Sequence, residues 1–182
     1  MSELVTPSSV LLFSSVLFLE SEGLEQQLFT IFQSKFGRGH LAHHPFCPMK
    51  KYYSQEMGDI EKLKRVFFFS HNLFPRDTLV EAKKWAIDIE NSFLINKKRT
   101  VNFDVGLISL ENLQLATGKM YAHRVYLRDN IYSDLTLIFQ NNSYQTLPWS
   151  YPDYSHPEII NIFNWNRRLL QTFLEEKSDL SS

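Results

Sequence analysis

His123 and Asp134 stand on either side of the dipeptide Asp129-Asn130 and form the pairing best suited to chemistry in this chain. Asp and Asn both tolerate the positive φ of a tight hairpin turn, so Tyr121–Arg128 and Ile131–Phe139 are predicted to pair as a β-hairpin. A two-residue turn pairs residues whose numbers sum to a constant. That rule sets His123 opposite Thr136 and Val125 opposite Asp134. One face of the hairpin then carries Tyr121, His123, Tyr132, Asp134 and Thr136. Diagonal neighbours lie within reach of long side chains, so Asp134 can orient His123 and stabilise its charge. A His with a carboxylate partner is a common acid/base arrangement. These two residues are therefore the catalytic candidates.

The other hairpin face holds Arg124 and Arg128 beside Leu135 and Leu137, and Lys119 stands just before it. Asn102 and Asp104 project from a neighbouring strand. Lys119, His123, Arg124 and Asp104 together have the charges to grip an anion or a phosphorylated small molecule. Asn102, Asp104, Lys119, Tyr121, Arg124, Tyr126 and Tyr132 are the ligand-binding candidates. The plainer alternative is a solvated sheet face with one satisfied His, and a one-residue register change would scramble the set.

Other constellations offer less. His40, His43, His44 and Cys47 are zinc-binding types, but their spacing matches no closed site, and adjacent His43 and His44 would point to opposite strand faces. No metal is expected. Gly118-Lys119 resembles the end of a phosphate loop, yet Leu113 and Met120 stand where that motif needs Gly and Ser or Thr. Gly37-Arg38-Gly39 follows a helix and lacks the third glycine. No cofactor is implied. There is no Gly-x-Ser-x-Gly elbow for a nucleophile. The aromatic segment Trp149–Tyr154 reads as a cover over a sheet edge, or as a lip that stacks on a ligand.

These residues need a scaffold, and the periodicities describe one. Val10–Leu19 is apolar throughout and reads as a buried strand. Ser21 is the expected cap of a helix carrying Leu24, Leu28, Ile31, Phe32 and Phe36, with Gly37 as its stop. His40–Phe46 reads as a weak strand, Tyr52–Leu63 as an irregular or short helical insertion, and Arg65–Ser70 as a central strand. Thr78 with Glu81 has the form of a capping box before a helix bearing Leu79, Ala82, Ala86, Ile89 and Phe93. Lys97, Lys98 and Arg99 lead into a strand, Thr100–Val105. Its alternation sends Val101, Phe103 and Val105 one way and Asn102 and Asp104 the other.

The order so far is β-α-β-β-α-β, a ferredoxin-like unit. Ser109–Ala116 reads as a short helical piece. The hairpin follows, then a turn at Asn141-Asn142 into Tyr144–Leu147. A second capping box, Ser155 with Glu158, opens a final helix with Ile159, Ile160, Phe163, Leu170, Phe173 and Leu174 on its core face. The expected fold class is α+β: a ferredoxin-like βαββαβ sandwich extended by the hairpin and a C-terminal helix. Residues 1–182 are expected to form one domain, with a core over about 10–176.

The bulk composition sets outer bounds. A chain of 182 residues buries roughly 70% of its unfolded surface and needs no staples. Nineteen basic against 20 acidic side chains leave a net charge of −1, so the basic excess of a nucleic-acid binder is missing. The single Cys fits a reducing compartment. Val10–Leu19 lacks a basic start and is shorter than the ~20 apolar residues of a membrane span. The protein is therefore expected to be cytoplasmic, without membrane or nucleic-acid partners.

Several strings carry a family resemblance over nearly the whole length. They are Tyr52-Tyr53 with Glu56-Met57-Gly58, and Val101-Asn102 with Asp104 and Gly106. The others are Lys119 with Tyr121-Ala122-His123-Arg124-Val125-Tyr126-Leu127, and Leu147-Pro148-Trp149-Ser150-Tyr151-Pro152-Asp153-Tyr154. In these the chain resembles a bacterial family, the domain of unknown function 4416 family. That family has Asp-Pro-Gly-Tyr where this chain reads Asp104-Val105-Gly106-Leu107, and Asp-Gly where it reads Asp129-Asn130; it shares an acidic residue at Asp134. The resemblance implies no activity. It includes Asp104, Lys119, His123 and Arg124 and leaves out the His40–Cys47 cluster. The expected role is a site for a small anionic ligand, enzymatic or not. The alternative is a non-catalytic interaction module, in which the aromatic loop around Trp149 and Tyr151 and open sheet edges bind another protein or a second copy as a homodimer.

Overall fold

The computed structural model describes residues 3–44, 57 and 60–179. It is an α+β protein in which, among the described residues, eight strands form one antiparallel sheet and three helices cover its two faces. In chain order the elements are β1 (Val10–Leu19), α1 (Leu24–Phe36), β2 (Gly39–His43), β3 (Leu63–Phe74), α2 (Thr78–Ser92), β4 (Val101–Ile108), β5 (Asn112–Thr117), β6 (Arg124–Arg128), β7 (Ile131–Gln140), β8 (Ser143–Thr146) and α3 (Pro157–Asp179). The strand order is β2-β3-β1-β4-β5-β7-β6, with β8 also on β7. The sheet thus runs on past β4 through further antiparallel strands, and the order of the whole differs from that of a four-stranded ferredoxin-like sandwich. None of the described helices is long and apolar enough to cross a membrane.

The apolar run of β1 makes it central, because both faces of the sheet are covered there. Val10, Leu12, Val16 and Phe18 join a core with α1 and α2, whereas Leu11 and Phe13 join a second core with α3. The same alternation continues on β4: Val101, Phe103 and Val105 enter the first core, and Asn102 and Asp104 take the opposite face, as expected from the sequence. Phe163 on α3 anchors the second core edge-on to Phe13, with ring centroids 5.0 Å apart.

Several local expectations are corrected. Ser21 does not cap α1; Gly23, at φ 74°, does, in a left-handed conformation that glycine adopts freely. Gly37, at φ 80°, ends that helix as expected, its amide on the Gln33 carbonyl. Thr78 is already helical and makes no cap, and Glu81 is drawn instead to Arg128 and Lys84. Ser155 closes a 3-10 turn (Pro152–Ser155), Pro157 begins α3, and Glu158 pairs with His44, so that capping box is not formed either. Ser109–Ala116 is not helical: Ser109 bonds Asn112 across a tight turn, and β5 follows with Leu113 and Leu115 alternating into the α3 core. β2 ends at His43 and β3 begins at Leu63. Cys47 and most of the Tyr52–Leu63 insertion lie outside the described residues.

The hairpin turn is as read, with Asp129 and Asn130 at φ 55° and 60°. Its register is not. Arg128 pairs with Ile131, but a bulge at Leu127 adds one residue to β6, so Tyr126 pairs with Tyr132 and Arg124 with Asp134. Tyr121–His123 precede the strand. Arg124, not Val125, therefore stands opposite Asp134, and His123 does not pair with Thr136.

Candidate functional site

β4 and β5 pair only from Gly106↔Leu115 to Ile108↔Leu113. Below Gly106 the two strands part. The exposed backbone of β4 there is satisfied by side chains, because unpaired buried amides are costly. The Phe103 amide donates to Glu90 Oε1 at 2.7 Å, and its carbonyl accepts from Lys83 Nζ at 3.5 Å. Burial raises the Glu90 carboxyl pKa above its ordinary value, against the pull of Lys83 and Arg99.

The fork holds a cavity of about 330 Å³. Its floor is Ser15 from β1, Asn102 and Asp104 from β4, Leu115 from β5 and Asp134 from β7. Ser15 and Asp104 are direct cross-strand partners, which is why they meet. The roof is Tyr151, Asp153 and Tyr154, carried in by the 3-10 turn before α3. Lys83, Arg99 and Lys119 stand at the rim.

Charges inside are held in place by partners behind the lining. Arg65, buried in β3, pairs with Asp153 Oδ2 and lies over the Phe67 ring. Burial pushes the Asp153 carboxyl up, Arg65 pulls it down, and the Asp104 charge adds to the rise. Arg124 donates to Asp134 Oδ2 at 2.8 Å, to the Lys119 carbonyl at 3.0 Å and to the Tyr151 hydroxyl at 2.8 Å. One guanidinium thus ties hairpin, rim and roof together. Burial raises the Tyr151 phenol, and the fully buried Tyr154 phenol well above its usual range. Arg99 donates to Asn102 Oδ1 at 2.8 Å. Two polar atoms of the lining have no hydrogen-bond partner among the described residues, Asn102 Nδ2 and Asp153 Oδ1, whereas the Tyr154 hydroxyl bonds Ser15.

The candidates from the sequence divide. Asn102, Asp104, Lys119 and Asp134 line the cavity. Arg124 stands behind it. His123 Nε2 is 3.4 Å from Asp134 Oδ2, and its ring stacks on Trp149 at 5.0 Å, outside the lining. Tyr121 packs on His123 and under Arg124. Tyr126 and Tyr132 pack on each other near the hairpin tip. The Trp149 indole donates to the Leu135 carbonyl, so the aromatic segment both closes over the hairpin and roofs the cavity.

Sequence reading missed Ser15, Arg65, Lys83, Arg99 and Asp153 as site residues. The signal available was polarity out of place: two serines and an arginine inside apolar strands, and an Asp between aromatics. Of the His cluster, His40 bonds His71 at 2.8 Å, His43 bonds Glu25 and His44 bonds Glu158. No set of three or more His, Cys, Asp or Glu side chains among the described residues is placed to hold a metal.

Residues 8–169 match the family model described as "Domain of unknown function (DUF4416)". No curated protein and no solved structure matches the chain.

Proposed function

This chain belongs to the DUF4416 family, and we propose that the cavity between β4 and β5 receives a small anionic molecule. One observation carries the reading: three cationic side chains and two buried, unpartnered polar atoms belong to the lining of one cavity. Lys83, Arg99 and Lys119 supply charge at the rim, and Asn102 Nδ2 and the Tyr154 hydroxyl supply donors inside. Such groups are costly to bury unless something pairs with them. The volume falls at the small end of ligand pockets, about 300–1,000 Å³. In this reading Asp134 with His123 is the pair suited to proton transfer, and Tyr121 steadies Arg124. The first half, Val10–Ile108, is read as a ferredoxin-like unit, supported by the order β2-β3-β1-β4 with α1 and α2 on one face.

A thermal-shift panel of phosphates and organic acids tests this. A ligand at a hundredfold its Kd adds about 2.7 kcal/mol, which raises the midpoint by about 5–10 °C at this chain length. The response is expected to shrink in Lys119→Ala and Arg99→Ala. A panel without hits, or hits unaffected by both changes, would count against the cavity.

A second reading rests on a separate observation. The edge strand β6 exposes Val125 and Tyr126, and Met120 and Tyr121 beside it are also exposed. An apolar sheet edge invites strand pairing, here with a second copy of the chain. Light scattering after gel filtration is expected to give a dimer that Tyr126→Lys converts to monomer.

A further inference from the structure

The fork segregates its charges, and the order of segregation restricts the occupant. Cations stand at the rim, where Lys119 is exposed and the Arg99 side chain is about a third exposed (34%). Carboxylates lie inside: Asp134 is 2% exposed and Asp153 8%, with Asp104 on the floor between Ser15 and Asn102. Arg65 and Arg124 already pair with Asp153 and Asp134, so a second negative group pushed inward would meet three carboxylates against two engaged arginines in a poorly screened space, where like charges repel strongly.

The open hydrogen-bonding functions inside are of mixed sense. Asn102 Oδ1 is taken by Arg99, which leaves its Nδ2 as a buried donor. Asp153 Oδ2 is taken by Arg65, which leaves Oδ1 as a buried acceptor. The Tyr154 hydroxyl, bonded to Ser15, keeps one further hydrogen-bonding function. These residues are all more than nine-tenths buried. One donor, one acceptor and one hydroxyl in the same lining match neighbouring hydroxyl groups, each of which donates and accepts. The Tyr151 and Tyr154 rings with Leu115 give such a molecule an apolar wall for its C–H face.

We propose that the occupant is a monophosphorylated sugar or polyol, with its phosphate between Lys83, Arg99 and Lys119 and its hydroxyls on Asn102, Asp153 and Tyr154. This rests on the anionic-ligand reading above and narrows it. A free phosphate would use only the rim. A dicarboxylate would set its second charge against the interior acids.

Titration calorimetry on the full chain separates the cases, with glucose-6-phosphate, ribose-5-phosphate, inorganic phosphate, glucose and succinate as probes. A sugar phosphate is expected to bind at least ~10-fold more tightly than inorganic phosphate, glucose or succinate, the equivalent of one added charged hydrogen bond. Lys119→Ala is expected to weaken it roughly ten- to hundredfold. Tyr154→Phe, which removes a hydroxyl without touching the Asn102 bond that holds Arg99, is expected to weaken the sugar phosphate but leave inorganic phosphate binding unchanged; circular dichroism confirms that the variant is folded. If succinate or phosphate binds as tightly as the sugar phosphates, with the same dependence on Lys119, the sugar assignment falls and the anion site stands. If glucose binds as well as its phosphate, or nothing binds, both readings fall.

Discussion

Replacing Arg124 with Met should expose how much of the site depends on one guanidinium. In the native protein Asp134 is 2% exposed, and its Oδ2 accepts from Arg124 Nε at 2.8 Å. Met keeps the length of the side chain and its packing but removes the charge. A buried carboxylate left without its partner costs about 3–5 kcal/mol. The variant also loses the donors to the Lys119 carbonyl and the Tyr151 hydroxyl, so the loss should lie in the upper part of that range. Asp134→Asn in the Arg124→Met background should restore most of the loss near neutral pH, because no uncompensated charge is then buried. Urea unfolding of the wild type, both single variants and the double variant measures the coupling. A loss below about 1 kcal/mol at neutral pH, the value of an exposed ion pair, or a double variant no more stable than Arg124→Met, would refute the reasoning.

Three further outcomes are expected. A Cβ at Gly106 would lie 2.5 Å from the Gln114 carbonyl oxygen and 2.5 Å from Phe13 Cε1. Gly106→Ala should therefore destabilise the fold by about 1–3 kcal/mol, seen as a lower urea midpoint. Tyr144 is buried and donates to the Ser109 carbonyl at 2.7 Å. Tyr144→Phe strands that carbonyl and should cost about 1–3 kcal/mol in the same assay. Burial, helped by His71, lowers the His40 pKa from 6.5 to about 4. The unfolded chain then binds the extra proton first. This contribution is intact above about pH 6.5 and is lost as pH falls towards 4; allowing for partial exposure it amounts to about 1–2 kcal/mol. His40→Phe should flatten that part of the stability–pH curve.

What could be read from the sequence was what is written locally. The apolar run Val10–Leu19 marks a strand covered on both faces, and the alternation of β4 places Asn102 and Asp104 on the cavity face. Asp129-Asn130 and Asn141-Asn142 announce their turns through residues that accept positive φ. The register of β6 was hidden because the bulge at Leu127 leaves no local signature. Shifting by one residue put Arg124, in place of Val125, directly opposite Asp134. Both capping boxes had the right spacing, but Glu81 and Glu158 found partners on other elements. Leu110 and Leu113 suit a helical turn as well as Leu113 and Leu115 suit a strand, and pairing of β5 with β7 decided between them. The cavity itself was out of reach, because it exists only where β4 and β5 stop pairing. Its walls come from six separate segments of the chain, from Ser15 to Tyr154.

The most direct test of the fork cavity as the ligand site is a nitrogen–proton correlation spectrum of the labelled chain titrated with glucose-6-phosphate. Amide shifts that saturate together at Asp104, Thr117–Lys119 and Asp153–Tyr154 are the predicted result. Saturable shifts confined to β6 or to the outer face of α3, with those amides unmoved, would contradict it.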